Sequence, residues 1–362
     1  MKRLGIIGGG QLARMMALAA PPLGLEVRFL DPSSSACAGD ISTGIRAGYG
    51  DPEALDELAD WAEVVTFEFE NVPAASVERL AAKLPAYPPA GALGTAQDRL
   101  REKNLFRDLG IGVAPFAAVD SLEGLRLAVA DVGLPAVLKT RTEGYDGKGQ
   151  AVLRTAADLE PAWERLGGVP LILEGFVNYS REISIIGVRT RDGAMCFYPI
   201  SENTHRDGIL HLAVCRASDP MQEEAQACLR KIAEALDYVG VLTLELFEMD
   251  GQLLANEIAP RVHNSGHWTI EGAETSQFEN HLRAVLDLPL GATDPVGESA
   301  MVNFIGRVPA AEAVLAIPGA HLHDYQKEAR TGRKVGHVTL RAGSPEALAE
   351  RIAAAEALLQ DG

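Results

Sequence analysis

Apolar positions along the chain alternate between strand-like runs and helix-like spacing. Leu4 to Ile7 is a short apolar run, followed by Gly8-Gly9-Gly10 and then by Leu12, Met15, Met16 and Ala19 at helical spacing. Pro21, Pro22 and Gly24 break that helix, and Val27 to Leu30 reads as a second strand ending at Asp31. A helix over 52–62 and a strand over 64–67 complete a β-loop-α-β pattern, which predicts a parallel sheet. The Pro/Gly-rich stretch 85–94 marks the end of this first region.

The second region opens with a helix predicted over 96–109. Apolar strands are predicted over 135–140, 151–153, 171–173, 183–188 and 195–199. Asp192-Gly193 reads as a hairpin turn between the last two. Ala225, Leu229, Ile232, Ala233 and Leu236 share a helical face, with Gly240 predicted to close the helix. Strands over 241–247 and 253–258 flank Asp250-Gly251, another hairpin signal. The last region carries strands over 300–305 and 335–340. It ends in a helix announced by Ser344-Pro345, with Leu348, Ile352, Ala355 and Leu359 on its apolar face.

The 362-residue length predicts two or three domains, and a 47% hydrophobic fraction is that of a globular protein. A net charge of −17 argues against nucleic acid or an anionic membrane as partner, and it makes any local basic cluster more informative. No apolar run approaches the roughly 20 residues that span a bilayer. No secretion signal precedes the first strand, so the chain reads as cytoplasmic. Cys37, Cys196, Cys215 and Cys228 form no metal or disulfide pattern and read as reduced thiols.

Three features carry chemistry. Gly8-x-Gly10-x-x-Ala13 followed by Asp31 satisfies the local conditions of a dinucleotide fingerprint, which would suit a nicotinamide-dependent oxidoreductase. The same glycines would equally let a monophosphate approach a helix N-terminus. Second, a strand ends in Lys139 and runs through Gly144, Tyr145, Asp146, Gly147, Lys148, Gly149 and Gln150 into another strand. This is a glycine-rich hairpin able to fold over a triphosphate. A P-loop would run into a helix instead. Third, Glu245 and Glu257 lie on the two strands of one apolar hairpin. A three-residue loop would place them directly opposite each other, and a two-residue loop would pair Glu245 with Asn256. Facing carboxylates need neutralisation, and a hard dication with oxygen ligands provides it.

This ordered set resembles the ATP-grasp superfamily. Thr66-Phe67-Glu68-Phe69-Glu70-Asn71-Val72-Pro73, the Gly144–Gln150 loop, Pro260-Arg261-Val262-His263-Asn264-Ser265-Gly266-His267 and Gly332-Arg333-Lys334-Val335-Gly336-His337 narrow it. They resemble the 5-(carboxyamino)imidazole ribonucleotide synthase (PurK) family of purine biosynthesis. Glu143 departs from the small residue expected there. The resemblance implies an α/β and α+β chain in three parts. These are an N-terminal doubly wound, Rossmann-like domain over 1–97, an ATP-grasp domain over 98–290 and a small C-terminal domain over 291–362. It also implies a homodimer, and a reaction in which ATP and bicarbonate carboxylate aminoimidazole ribonucleotide through carboxyphosphate. The alternatives are another ATP-grasp ligase or formyltransferase, or the oxidoreductase.

By the same resemblance, ATP is bound by Arg99, Lys139, the Gly144–Gln150 loop, Glu174, Gly175, Phe176, Val177, Glu182, His205, Asn256 and Glu257. Magnesium is held by Glu245 and Glu257. Arg261, His263, Lys327 and Tyr145 act at the reacting centre, with Tyr145 in the lid. The ribonucleotide is met by Gln11, Glu68, Asn264, Ser265, Lys327, Arg333 and Lys334. Lys327, Arg330, Arg333 and Lys334 place four cations within eight residues, the local contrast that an anion site needs.

Overall fold

The computed structural model describes residues 2–142, 144 and 149–360. Strands Lys2–Ile7, Leu25–Leu30, Thr43–Ile45 and Val64–Phe67 form a parallel sheet with the first strand central, in register Leu4↔Val27 and Leu4↔Val64. Leu4, Ile6 and Ile7 are fully buried because helices cover both faces. The helix Pro52–Trp61 begins where expected, with Asp51 accepting from the Glu53 and Ala54 amides.

A second sheet, antiparallel, consists of Phe116–Val119, Leu171–Gly175, Ala136–Thr140 and Gln150–Leu153 in that order. A third sheet has nine strands. Its main path runs Gln252–Ala259, Gly240–Met249, Arg181–Arg189, Ile200–Arg206, Ile209–Arg216, Glu298–Ile305, Lys334–Ala342 and Ala320–Asp324. The C-terminal strands therefore extend the central sheet through Leu212↔Val302, and the helix Pro345–Gln360 covers them with Leu348 and Ala355 buried.

Three elements differ from the sequence reading. The helix predicted over 96–109 starts later, as Arg99–Asp108, because the Asp98 side chain caps it by accepting from the Leu100 and Arg101 amides, and a separate helix, Ala90–Ala96, precedes it. Gly240 does not close a helix. The helix Gln222–Ala235 ends before Asp237, which takes the left-handed φ of 43°, and Gly240 at φ 110° opens the next strand. A Cβ at Gly240 would fall 2.9 Å from the His281 ring. The hairpin Ile200–Arg206 and Ile209–Arg216 went unread because Ser201 and Asn203 form a polar buried face, although its turn, Asp207-Gly208 with φ of 52° and 76°, is a strong hairpin signal.

Candidate active site

The Glu245 and Glu257 hairpin resolves its register in a way neither reading anticipated. Asp250-Gly251 forms a two-residue turn with both φ positive, and Met249 pairs with Gln252. That register alone would set Glu245 against Asn256. A bulge between Glu245 and Leu246 shifts the pairing, so Glu245 faces Glu257. The backbone groups around the bulge are met by one helix. Lys103 Nζ donates to the Asn256 carbonyl at 2.6 Å, and the Ile258 amide donates to Glu102 Oε1 at 2.7 Å.

Cations surround this pair. Arg99 Nη1 lies 3.0 Å from Glu257 Oε2, and Arg99 Nη2 donates to the Gly144 carbonyl at 3.3 Å. Lys139 and Lys103 both reach Glu174 Oε2, at 3.0 and 3.3 Å. Burial alone would raise the Glu174 carboxyl, but the two lysines hold it down at about 2. Burial likewise opposes ionisation of Glu257, and Arg99 and Lys139 overcome it, leaving that carboxyl below its ordinary value. At Glu245 the cations Lys334 and Arg261 weigh less than burial and like charge. Burial first, then the charges of Glu257 and Glu182, push its carboxyl well above the ordinary range. Arg99 thus offsets the charge on the Glu257 side of the pair, while burial and like charge disfavour ionisation on the Glu245 side.

The glycine loop holds a carboxylate of the chain itself. The Gly9 amide donates to Asp31 Oδ2 at 2.9 Å, the Gly10 amide to Glu68 Oε1, and the Ala13 amide to Glu68 Oε2 at 3.0 Å. A Cβ on Gly10 would lie 2.6 Å from Glu68 Oε1, so glycine there admits Glu68. The anion at this helix start is a side chain, which leaves the dinucleotide reading without its phosphate site. Lys327 Nζ donates to Gln11 Oε1 beside it and lies 5.8 Å from the Tyr325 ring centroid.

The segment after Glu257 closes the site. Arg261 forms an ion pair with Glu70, from the first sheet's side of the cavity. His263 Nε2 stands 3.2 Å from Glu245 Oε1. Gln277 clamps the His263 backbone on both sides, accepting from its amide at 2.9 Å and donating to its carbonyl at 2.6 Å. Burial, then the charges of Arg261 and Lys334, keep the imidazole neutral, its pKa well below the usual histidine value.

Glu68, Arg99, Lys139, Glu245, Glu257, Arg261 and His263 open on one cavity of about 560 Å³, lined from the first sheet, the glycine hairpin, the large sheet and the C-terminal strands; Lys327 and Glu174 are not in its lining. Comparison with known proteins settles which family builds it. The ATP-grasp domain family matches residues 104–278, the ribonucleotide synthetase preATP-grasp domain family residues 1–97, and the phosphoribosylaminoimidazole carboxylase C-terminal domain family residues 299–351. The chain is 57% identical to the N5-carboxyaminoimidazole ribonucleotide synthase of Pseudomonas aeruginosa, covering 99% of both. The chain belongs to the N5-carboxyaminoimidazole ribonucleotide synthase family. Solved structures agree. The Thermus thermophilus synthetase superposes with TM-score 0.94 at 54% identity over 98% of each chain. The Aspergillus clavatus synthase, in complex with ADP and 5-aminoimidazole ribonucleotide, does so with TM-score 0.92 at 33% identity over 99% of each.

Within this N5-carboxyaminoimidazole ribonucleotide synthase fold, most residues singled out from sequence converge. Gln11, Glu68, Arg99, Lys139, Gly144 and Gln150 line the cavity from one side. Glu182, His205, Glu245, Asn256 and Glu257 line it from the large sheet, with Arg261, His263, Asn264 and Lys334 at the far end. His205 Nδ1 lies 3.2 Å from Glu182 Oε2. Gly149 precedes Gln150 with φ 72°, its carbonyl accepting from the Thr140 amide at 2.9 Å. Tyr145, Asp146, Gly147, Lys148 and Glu143 lie outside the described residues.

The structure shows what the other assigned residues touch. Ser265, read as a substrate contact, is fully buried behind His263, with its Oγ 2.8 Å from the ring Nδ1. Arg333 turns to the Glu328 carbonyl at the surface and does not line the cavity. The Gly175 and Phe176 amides donate to the Pro115 and Pro135 carbonyls, at 2.8 and 3.0 Å. Asn264 shares a reciprocal amide pair with Asn303. The sequence reading passed over Glu102, Lys103 and the stacked pair Tyr179 and Phe247, whose ring centroids are 4.5 Å apart on the cavity wall. Phe247 ends the same apolar strand as Glu245, two residues on and therefore on the same face, which was the available signal.

Proposed function

We infer that this chain carboxylates 5-aminoimidazole ribonucleotide with bicarbonate at the expense of ATP, giving the N5-carboxylated ribonucleotide, ADP and phosphate. One observation carries the reading. The Arg99, Lys139 and Glu257 cluster shares a single cavity with Glu68, Gln11 and Lys334, so a nucleotide triphosphate and a second anionic substrate meet in one enclosure.

Arg99 and Lys139 neutralise the triphosphate. A bicarbonate oxygen attacks the γ-phosphorus while ADP departs, so positioning and charge neutralisation carry the step. Arg261 holds the resulting carboxyphosphate. The exocyclic amine attacks the carboxyl carbon, the C–O bond to phosphate breaks, and the departing phosphate takes the amine proton. Lys327 and Lys334 hold the ribonucleotide's phosphate beside Gln11 and Glu68.

Magnesium fits the donor set. Glu245, Glu257 and the Asn256 amide are oxygen donors, and Glu245 stands among the like charges of Glu257 and Glu182. Among the described residues no group of three or more His, Cys, Asp and Glu side chains could hold a metal alone, which suits an ion that takes the rest of its shell from phosphates and water. When bound, the ion would neutralise phosphate charge at Glu245 and Glu257.

The resemblance also supports a homodimer, which light scattering would register as twice the chain mass, and a cytoplasmic setting. Among the described residues no helix is long and apolar enough to cross a membrane. The deciding assay is ADP release with and without aminoimidazole ribonucleotide and bicarbonate. Release that requires both supports the reading, and release indifferent to the ribonucleotide favours another ATP-grasp ligase.

A further inference from the structure

Behind His263 lies a row of buried polar groups that the reaction does not touch. Asn203 Nδ2 donates to Ser184 Oγ at 3.1 Å, and Ser184 Oγ donates to Ser265 Oγ at 2.7 Å. Ser265 Oγ lies 2.8 Å from His263 Nδ1, and His263 Nε2 lies 3.2 Å from Glu245 Oε1. Ser184 and Ser265 are fully buried. Ser184 is also the cross-strand neighbour of Glu245 in the large sheet, so the row starts and ends on one face.

Counting hydrogens gives the row a direction. Ser184 accepts from Asn203, so its single hydrogen goes to Ser265. Ser265 accepts that bond and keeps its own hydrogen for His263 Nδ1 at 2.8 Å. The Ser265 backbone amide approaches the same nitrogen at 3.4 Å. With two donors aimed at Nδ1, the ring proton sits on Nε2 and points at Glu245. Other bonds fix the row in place: Trp268 Nε1 donates to Ser201 Oγ at 2.8 Å, and Ser201 Oγ donates to the Ser265 carbonyl at 3.1 Å.

We propose that Asn203, Ser184 and Ser265 form a one-way hydrogen-bond relay that fixes His263 as an Nε2–H donor to Glu245. His263 is then a positioning residue for that carboxylate and not the acceptor of the amine proton. The proposal rests on the reading of Glu245 as a group that faces the phosphates. It accounts for serines and an asparagine in a strand face that would otherwise be apolar, since buried hydroxyls persist where each finds a partner.

The test separates the tautomer from turnover. In the full chain labelled with ¹⁵N-histidine and free of ATP and metal, long-range ¹⁵N–¹H correlation should show His263 protonated at Nε2, with assignment by His263→Asn. Ser265→Ala should abolish that single tautomer and lower kcat by roughly 10- to 100-fold, as loss of a group that orients a ligand side chain does. Ser184→Ala keeps the Ser265 hydroxyl and should cost less than Ser265→Ala. A wild-type ring protonated at Nδ1, or Ser265→Ala with an unchanged spectrum and full kcat, overturns the proposal. If Ser265→Ala does not fold, the wild-type spectrum and Ser184→Ala decide the matter. Loss of the functional reading would show separately, as wild-type enzyme with no ribonucleotide-dependent ADP release or as a Glu245→Gln variant with normal turnover.

Discussion

Lys103 reaches across from its helix to the Asn256 carbonyl at 2.6 Å, and the extra residue of the hairpin is that same Asn256. A bulge frees backbone groups from the ladder, and a buried one needs other partners for them. Lys103 supplies a donor, and its neighbour Glu102 supplies the acceptor for Ile258. The register that sets Glu257 opposite Glu245 is thus held by a helix about 150 residues earlier in the chain.

Replacing Lys103 with methionine should therefore damage both stability and turnover. The lysine is 2% exposed and shares Glu174 with Lys139, so its loss leaves Glu174 to Lys139 alone and strips the buried Asn256 carbonyl of its donor. Leaving a buried acceptor without its donor costs about 1–3 kcal/mol. Urea unfolding should show a loss of that order, and ADP release should fall further than the unfolded fraction explains. A variant with wild-type stability and kcat would remove Lys103 from this role.

Glu245 and Glu257 should respond differently to the same substitution. Glu257→Gln should abolish ADP formation in a folded protein, and it also removes the partner of Arg99 at 3.0 Å, so some stability is lost. Glu245→Gln should abolish turnover equally but leave the metal-free protein as stable or more so. Burial and the charge of Glu257 hold the Glu245 carboxyl well above its ordinary value of 4.5. A raised acid binds its proton more tightly when folded, so the wild type loses stability as pH rises from 4.5 toward the folded value. The amide carries no such penalty. Thermal unfolding at pH 8 without magnesium should place Glu245→Gln at or above wild type, and ADP assays should find both variants inactive.

The parallel sheet and the order of motifs were legible because local period and glycine placement encode them. The register at Glu245 was not, because the bulge depends on Lys103 and Glu102, which no local rule connects to Asn256. Glu68 was legible as a cavity residue but not as the occupant of the glycine loop. A fingerprint for an anion reads the same whether the anion is a ligand or a side chain of the chain. The Ile200–Arg206 strand was hidden for a related reason: its buried side carries Ser201 and Asn203, which pattern rules assign to loops.

The last prediction concerns the seam between the first sheet and the large one. His281 Nδ1 accepts from the Val241 amide at 3.1 Å, which leaves Nε2–H to donate to Thr66 Oγ1 at 2.8 Å. Thr66 belongs to the parallel sheet and Val241 to the strand of Glu245, so a neutral imidazole joins the two. Burial lowers the His281 pKa from 6.5 to about 4. In the unfolded chain the ring takes a proton below 6.5, while the folded protein resists until about 4. Stability is therefore fully present above pH 6.5 and is lost as pH falls toward 4, on the order of 3 kcal/mol in all. Between pH 7 and pH 5 the share is about 2 kcal/mol. Other buried histidines add to the wild-type slope, so the comparison is with His281→Gln, which keeps an acceptor and a donor without a titrating ring. Urea titrations at the two pH values should give the variant a shallower loss by about that share. Equal slopes would mean that the imidazole at this seam takes up its proton at the same pH in the folded and unfolded chain.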